Sequence, residues 1–156
     1  MPADNPNGAG GSPLPQLLVV DDDVIQRTII SRIGTQSGYA TASAASFAEA
    51  AQLLAQQSFD CVTLDLSLGK ESGVLLLGKI AENSRLAPII VISGTEEHIQ
   101  LSTLKIAQSL GLQMQFLTKP LKLTELRALL AQKRDGLAAR RGIDQHYQAV
   151  RNSLIA

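Results

Sequence analysis

Residues 62–67 read Val-Thr-Leu-Asp-Leu-Ser, a short apolar run that delivers one carboxylate, Asp65, at its end. Such a run, bounded by polar residues, reads as a strand buried on both faces of a parallel sheet. In open α/β sheets ligands gather just beyond the carboxyl ends of the strands, so Asp65 stands where chemistry is expected. An isolated aspartate there would serve equally well to cap the next turn, but this one is not isolated. Residues 17–20 form a second apolar run and end abruptly in Asp21, Asp22 and Asp23. Residues 89–92 end in Ser93 and Gly94, and residues 114–117 lead to Lys119 and Pro120.

Between these runs the apolar period changes from strand-like to helical. Val24, Ile25, Thr28, Ile29 and Ile33 recur at helical spacing, and Gly38 stops the segment. Residues 39–44 alternate weakly as a second strand. Ser46 then caps a helix that turns Phe47, Ala50, Ala51 and Leu54 inward, with Glu49 completing a capping box. A loop through Gly69 and Gly73 precedes an apolar helix over about 74–81. Residues 96–108 have helical composition, which Gly111 terminates. Leu123, Leu126, Leu129 and Leu130 give an amphipathic helix to about Arg134.

Five strands alternating with five helices define an α/β fold with helices on both faces of a parallel sheet. Right-handed crossovers favour a doubly wound (βα)5 arrangement with strand order 2-1-3-4-5. In that order the first and third strands are neighbours. Asp21 and Asp22 then lie beside Asp65, and Ser93 and Lys119 reach the same rim. Residues 16–134 are expected to form this domain, preceded by a Pro- and Gly-rich disordered leader over 1–15 and followed by a tail or linker helix over 135–156.

Composition excludes several classes of function. Fourteen basic residues balance fourteen acidic ones in 156, so no overall field draws in nucleic acid or an anionic membrane. The lone cysteine, Cys61, lies inside an apolar run and reads as a small buried hydrophobe. No stretch approaches the ~20 apolar residues of a membrane span, and a reducing cytoplasm is the expected location. His98 and His146 are expected to face solvent.

Three carboxylates in one pocket repel one another unless a cation or a proton is shared among them. An all-oxygen set without His or Cys favours magnesium, which shares its remaining positions with a phosphoryl group. Lys119 adds a point charge suited to phosphate, and Ser93 adds a hydroxyl donor. The set describes phosphoryl transfer onto Asp65, a carboxylate nucleophile.

These residues resemble the receiver domains of two-component response regulators, over about residues 16–134. The resemblance rests on Leu-Val-Val-Asp-Asp-Asp at 18–23, on Leu-Asp-Leu at 64–66 with Gly73 eight residues past the aspartate, on Val-Ile-Ser-Gly at 91–94 and on Leu-Thr-Lys-Pro at 117–120. It implies the flavodoxin-like, CheY-like fold and makes Asp65 the phosphoacceptor. Asp22 and Asp65 would be direct magnesium ligands, with Asp21 acting largely through water and the Ser67 backbone carbonyl completing the set. Ser93 and Lys119 would contact the phosphoryl group, and Phe116 would be the switch aromatic. Asp23 matches no essential position and reads as a helix-start acid. The expected donor is a sensor histidine kinase or phosphotransfer protein. The expected product is a conformational signal, so the chain is not expected to be an enzyme in its own right.

Two departures stand out. Gly69 replaces the proline usual four residues past the phosphoacceptor, which implies a more mobile loop. Residues 107–117 place the fifth strand later than in a minimal receiver, read most simply as a longer fourth helix. The stretch 109–121 resembles the approach to the lysine in receivers joined to EAL cyclic-di-GMP phosphodiesterase domains. Ile143, Tyr147, Val150 and Leu154, spaced by four, three and four, suit a linker helix or dimer seam. Homodimerisation through that tail or through the face of helix four, strand five and helix five is a further expectation. The competing readings are a stand-alone receiver acting by protein–protein binding and a haloacid-dehalogenase-type phosphatase. The latter places a second aspartate two residues after its nucleophile, where this chain has Ser67.

Overall fold

The structure, a computed structural model, describes residues 13–68, 71–84, 87–94 and 96–155. Its sheet strands are β1 (Gln16–Val20), β2 (Ala40–Ala44), β3 (Cys61–Asp65), β4 (Ile89–Ser93) and β5 (Met114–Thr118). Its helices are α1 (Val24–Gln36), α2 (Phe47–Gln56), α3 (Leu76–Asn83), α4 (Glu97–Ser109) and α5 (Leu123–Ile155). The five strands pair in parallel in the order β2-β1-β3-β4-β5, as the alternation of elements requires.

Alternation along the strands divides the core between two faces. Leu18, Val20, Val62, Leu64 and Val91 pack with Ala50, Leu54, Leu76, Leu77 and Ile80 of α2 and α3. Leu17, Val19, Cys61, Ile90 and Ile92 pack with Ile30 and Ile33 of α1 and Leu126 and Leu130 of α5. Each fully buried Leu or Ile contributes roughly 1.5–3 kcal/mol, so these layers anchor the strand ends against the electrostatic repulsion they carry. Cys61 is fully buried, and burial pushes its thiol up to about 12, which leaves it an inert core residue.

Local signals act as their chemistry predicts at two helix starts. Asp23 is the N-cap of α1, its carboxylate accepting from the amides of Ile25 and Gln26. Ser46 caps α2 by accepting from the Glu49 amide at 3.2 Å. The return bond of the capping box is displaced by one residue: Glu49 Oε2 accepts from the amide of Ala45, at 2.7 Å, rather than from the cap residue itself.

Three features differ from the expectations or add to them. The inward face of α1 is Ile30, Ile33 and Gly34, whereas Val24, Ile25 and Ile29 are exposed. The reason is a close approach: a Cβ on Gly34 would stand 2.5 Å from Leu17 Cδ2 and 2.9 Å from Thr41 Cγ2, so the helix lays its glycine against the sheet. After Asp65 the chain does not pass directly from loop to helix. Ser67–Leu68 and Glu71–Ser72 form a small antiparallel ribbon, and a 3-10 turn over Gly73–Leu75 leads into α3. Gly69 itself lies outside the described residues.

The third concerns where α5 ends: it continues past the expected limit near Arg134 and runs 33 residues as one helix through the stretch expected as a tail or linker helix. A glycine inside a helix costs only about 1 kcal/mol and does not end it, and the chain carries no proline beyond Pro120. Two buried or half-buried contacts fasten the helix to the domain. The Tyr39 hydroxyl donates to the Leu130 carbonyl at 2.6 Å, and Arg134 Nη1 donates to the Ser37 carbonyl at 2.7 Å. Beyond them Tyr147, Val150 and Leu154 are exposed, and the Ile143 side chain lies outside the described residues. The late fifth strand follows from the end of α4: Gly111, with φ at +72°, turns the chain between Ser109 and Met114.

Candidate functional site

Sheet register assembles the site. Val20 pairs with Leu64 and Asp65 with Ile92, so Asp21, Asp65 and Ser93 leave three adjacent strands at nearly one level. Ser93 pairs in turn with Thr118, which sets Lys119 at the same edge, and the Lys119 amide donates to the Ser93 carbonyl at 2.8 Å. The peptide between Lys119 and Pro120 is cis.

Carboxylate oxygens of Asp21, Asp22 and Asp65 all lie within 4.8 Å of one another. Asp21 is 1% exposed and Asp65 3%, while Asp22 is exposed. Lys119 Nζ stands 2.8 Å from Asp65 Oδ2, and the Ser67 amide donates to Asp65 Oδ1 at 2.9 Å. Asp21 Oδ1 accepts from the Asp23 amide at 2.9 Å, whereas its other oxygen is buried without a hydrogen-bond partner. A buried carboxylate oxygen left unpaired in a three-carboxylate pocket is the arrangement that a hard divalent cation with oxygen ligands satisfies.

Electrostatics agree. Burial, followed by the charges of Asp65 and Asp22, pushes Asp21 up to about 6 against the lowering effect of the Asp23 amide and Lys119. For Lys119 burial acts downward, but the Asp65 hydrogen bond and the three carboxylate charges outweigh it and hold the ammonium above its ordinary value. The pocket thus keeps its lysine charged while carrying excess negative potential of its own.

Every anticipated polar residue reaches this rim. Phe116 is half-buried on β5, opposite Val91, and packs on the α2–α3 side of the core. His98 and His146 are exposed, as expected. Two contacts were not anticipated. Arg27 Nη1 donates to the Asp21 carbonyl at 2.8 Å and steadies the β1–α1 turn from one helical turn away. Gln100 Nε2 stands 3.3 Å from both Ser93 Oγ and the Gly94 carbonyl, while the Ser93 hydroxyl itself lies 3.2 Å from the Gly94 carbonyl. Neither residue carries a sequence signal, since polar residues in the first turns of a helix are ordinary.

Gly73 supports the site from below. A Cβ there would meet the Asp65 carbonyl oxygen at 2.6 Å and Leu66 Cα at 2.9 Å, both backbone atoms that cannot swing aside. Gly73→Ala should therefore destabilise the protein by about 1–3 kcal/mol in urea denaturation. Gly34→Ala meets movable side-chain atoms and gains about 1 kcal/mol of helix propensity, so it should cost less. Equal losses in the two variants would contradict the close backbone approach at Asp65.

Fold and site together define a doubly wound α/β domain whose sheet edge presents an acidic pocket beside Lys119. The response regulator receiver domain family matches residues 17–131, and the chain belongs to that family. It is 32% identical over 118 residues to the regulatory protein VirG of Agrobacterium tumefaciens (strain 15955), a match covering 76% of this chain and 43% of that protein. The chain spans less than half the length of the curated relatives it matches. A CheY-like response regulator receiver domain protein from Methanospirillum hungatei JF-1 superimposes with a TM-score of 0.70 at 22% identity, covering 81% of this chain and 98% of that one. A response regulator from Burkholderia pseudomallei, solved with a phosphorylated aspartic acid, a calcium ion and citrate, does so at 0.64 and 24%, covering 88% and 82%. At these identities the two structures share the fold.

Proposed function

We propose that Asp65 is the phosphoacceptor of this receiver domain and that the chain acts as a phosphorylation-driven switch. The observation that carries the reading is the 2.8 Å contact between Lys119 Nζ and Asp65 Oδ2 inside the acidic cluster. One Asp65 oxygen attacks the phosphorus of a phosphohistidine on a histidine kinase or phosphotransfer protein. The P–N bond breaks, the electron pair leaves with the imidazole, which takes up a proton, and Asp65 carries an acyl phosphate. Lys119 stays charged and offsets the negative charge brought in by the phosphoryl oxygens, while the Ser67 amide holds the other Asp65 oxygen in place.

Asp21, Asp22, Asp65 and the Ser67 carbonyl would hold magnesium, and the unpaired Asp21 oxygen supports that assignment. Bound there, the ion would neutralise charge on the transferred group. After transfer, Ser93 turns toward the phosphoryl oxygen and Phe116 follows into the space the hydroxyl leaves, altering the face of α4, β5 and α5. Among the described residues no helix is long and apolar enough to cross a membrane, and the cytoplasm is the compartment this chemistry suits. The exposed Tyr147, Val150 and Leu154 on α5 suit a dimer seam or a connection to an output. An EAL output rests on the 109–121 stretch and on the apolar stripe of Ile143, Tyr147, Val150 and Leu154, and neither the family match nor the relatives named bear on it.

Incubation with acetyl phosphate tests the reading. One phosphoryl adduct should appear by intact-protein mass spectrometry with magnesium present and disappear when EDTA replaces it. Uptake that is indifferent to EDTA would remove the metal assignment.

A further inference from the structure

We propose that Gln100 is a positioning residue that holds Ser93 in the resting arrangement, so that phosphorylation of Asp65 must break a contact made by α4. The inference rests on the proposed role of Asp65 and extends it to a residue outside the acidic pocket.

Ser93 is 7% exposed, and its hydroxyl has partners on one side only. It donates to the Gly94 carbonyl at 3.2 Å and accepts from Gln100 Nε2 at 3.3 Å. Gln100 closes the triangle by donating to the Gly94 carbonyl as well, at 3.3 Å. A hydroxyl has one proton, so Ser93 cannot donate to the Gly94 carbonyl and to a phosphoryl oxygen on Asp65 at once. The Ser93 backbone does not need to move, because its carbonyl is fixed by the Lys119 amide at 2.8 Å. The change is thus a side-chain rotation, and Gln100 loses an acceptor when it occurs.

Gln100 is half-buried in the first turns of α4, so when the Ser93 hydroxyl turns away its amide must find another partner, and that adjustment is felt at the start of the helix. The N-cap position of α4, Glu96, makes no side-chain capping bond, which leaves Gln100 as a described side-chain tie between this end of the helix and the β4 loop. Gln100 therefore opposes the switch and links it mechanically to α4.

The test is the rate of phosphoryl uptake from acetyl phosphate with magnesium, followed by intact mass. Gln100→Met keeps the length of the side chain and removes its donors. Uptake should rise roughly two- to tenfold, the range that corresponds to one net hydrogen bond. Gln100→Ala should change the rate in the same direction, which guards against a folding peculiarity of the first variant. In a Ser93→Ala background, where no hydroxyl remains to be held, Gln100→Met should have no further effect. An unchanged rate in Gln100→Met, or an increase that persists in Ser93→Ala, overturns the proposal while leaving Asp65 as phosphoacceptor. Failure of the parent protein to take up any phosphoryl group would remove both.

Discussion

Asp65→Asn should take up no phosphoryl group under conditions that label the parent protein fully, and it should do so without unfolding. Asparagine keeps the shape of the carboxylate and can still accept the Ser67 amide hydrogen bond that now reaches Asp65 Oδ1 at 2.9 Å. Its amide nitrogen then stands where the second oxygen met Lys119, so the 2.8 Å ion pair is lost. What it loses is the nucleophilic oxygen and one negative charge. Because Asp21 and Asp22 crowd the same pocket, the repulsion relieved by removing that charge offsets the lost ion pair with Lys119, and the metal-free variant should stay close to the parent in stability. Intact mass and urea denaturation on the same sample separate the two effects. A surviving adduct would move the acceptor to another residue, and a collapse in stability would show that the carboxylate is chiefly structural.

The metal-free protein should lose stability as pH rises from about 4 to about 7, with Asp21 as the principal cause. Its carboxyl titrates near 6 in the folded chain against 3.8 for the ordinary value, so the folded state holds a proton that the unfolded chain has given up. Below the lower value both states are protonated and the contribution to stability is whole. It is lost as pH climbs through the higher one. A difference of about two pH units at about 1.4 kcal/mol each amounts to roughly 3 kcal/mol. Denaturation profiles of parent and Asp21→Asn in EDTA, subtracted from one another, isolate this slope from the other carboxylates. Magnesium should flatten the parent profile, because a cation favours the ionised pocket. Superimposable profiles for parent and variant in EDTA would exclude Asp21 as the buried acid.

The sheet and the site were readable because both depend on composition at short range. Short, largely apolar runs leading to Asp21, Asp65, Ser93 and Lys119 name four of the strands and their terminal chemistry together, and right-handed crossover fixes how they assemble. The inward face of α1 was not readable from its apolar residues. Val24, Ile25 and Ile29 satisfy the helical period, yet the helix is oriented by the absence of a side chain at Gly34, which hydropathy does not register. Length misled at α5 for a similar reason: Gly136 resembles a stop, but the residues around it continue the helix and no proline intervenes. The ribbon after Asp65 needs pairing between Ser67 and Ser72 that no period announces. Gln100 was invisible because its importance comes from where Ser93 sits, a property of the folded chain alone.

A 33-residue helix rising 1.5 Å per residue is about 50 Å long, of which the part beyond Arg134 accounts for roughly 30 Å. Tyr39 and Arg134 grip it near that point, through the Leu130 and Ser37 carbonyls, and so act as a fulcrum. The short arm lies against the sheet, where Leu126 and Leu130 are fully buried and feel small adjustments of packing. The long arm carries Tyr147, Val150 and Leu154 in solvent. A tilt of about 5° at the fulcrum swings the far end through roughly 3 Å, so a shift of about 1.5 Å at the start of the helix becomes, at the tip, a displacement as large as a hydrogen bond is long.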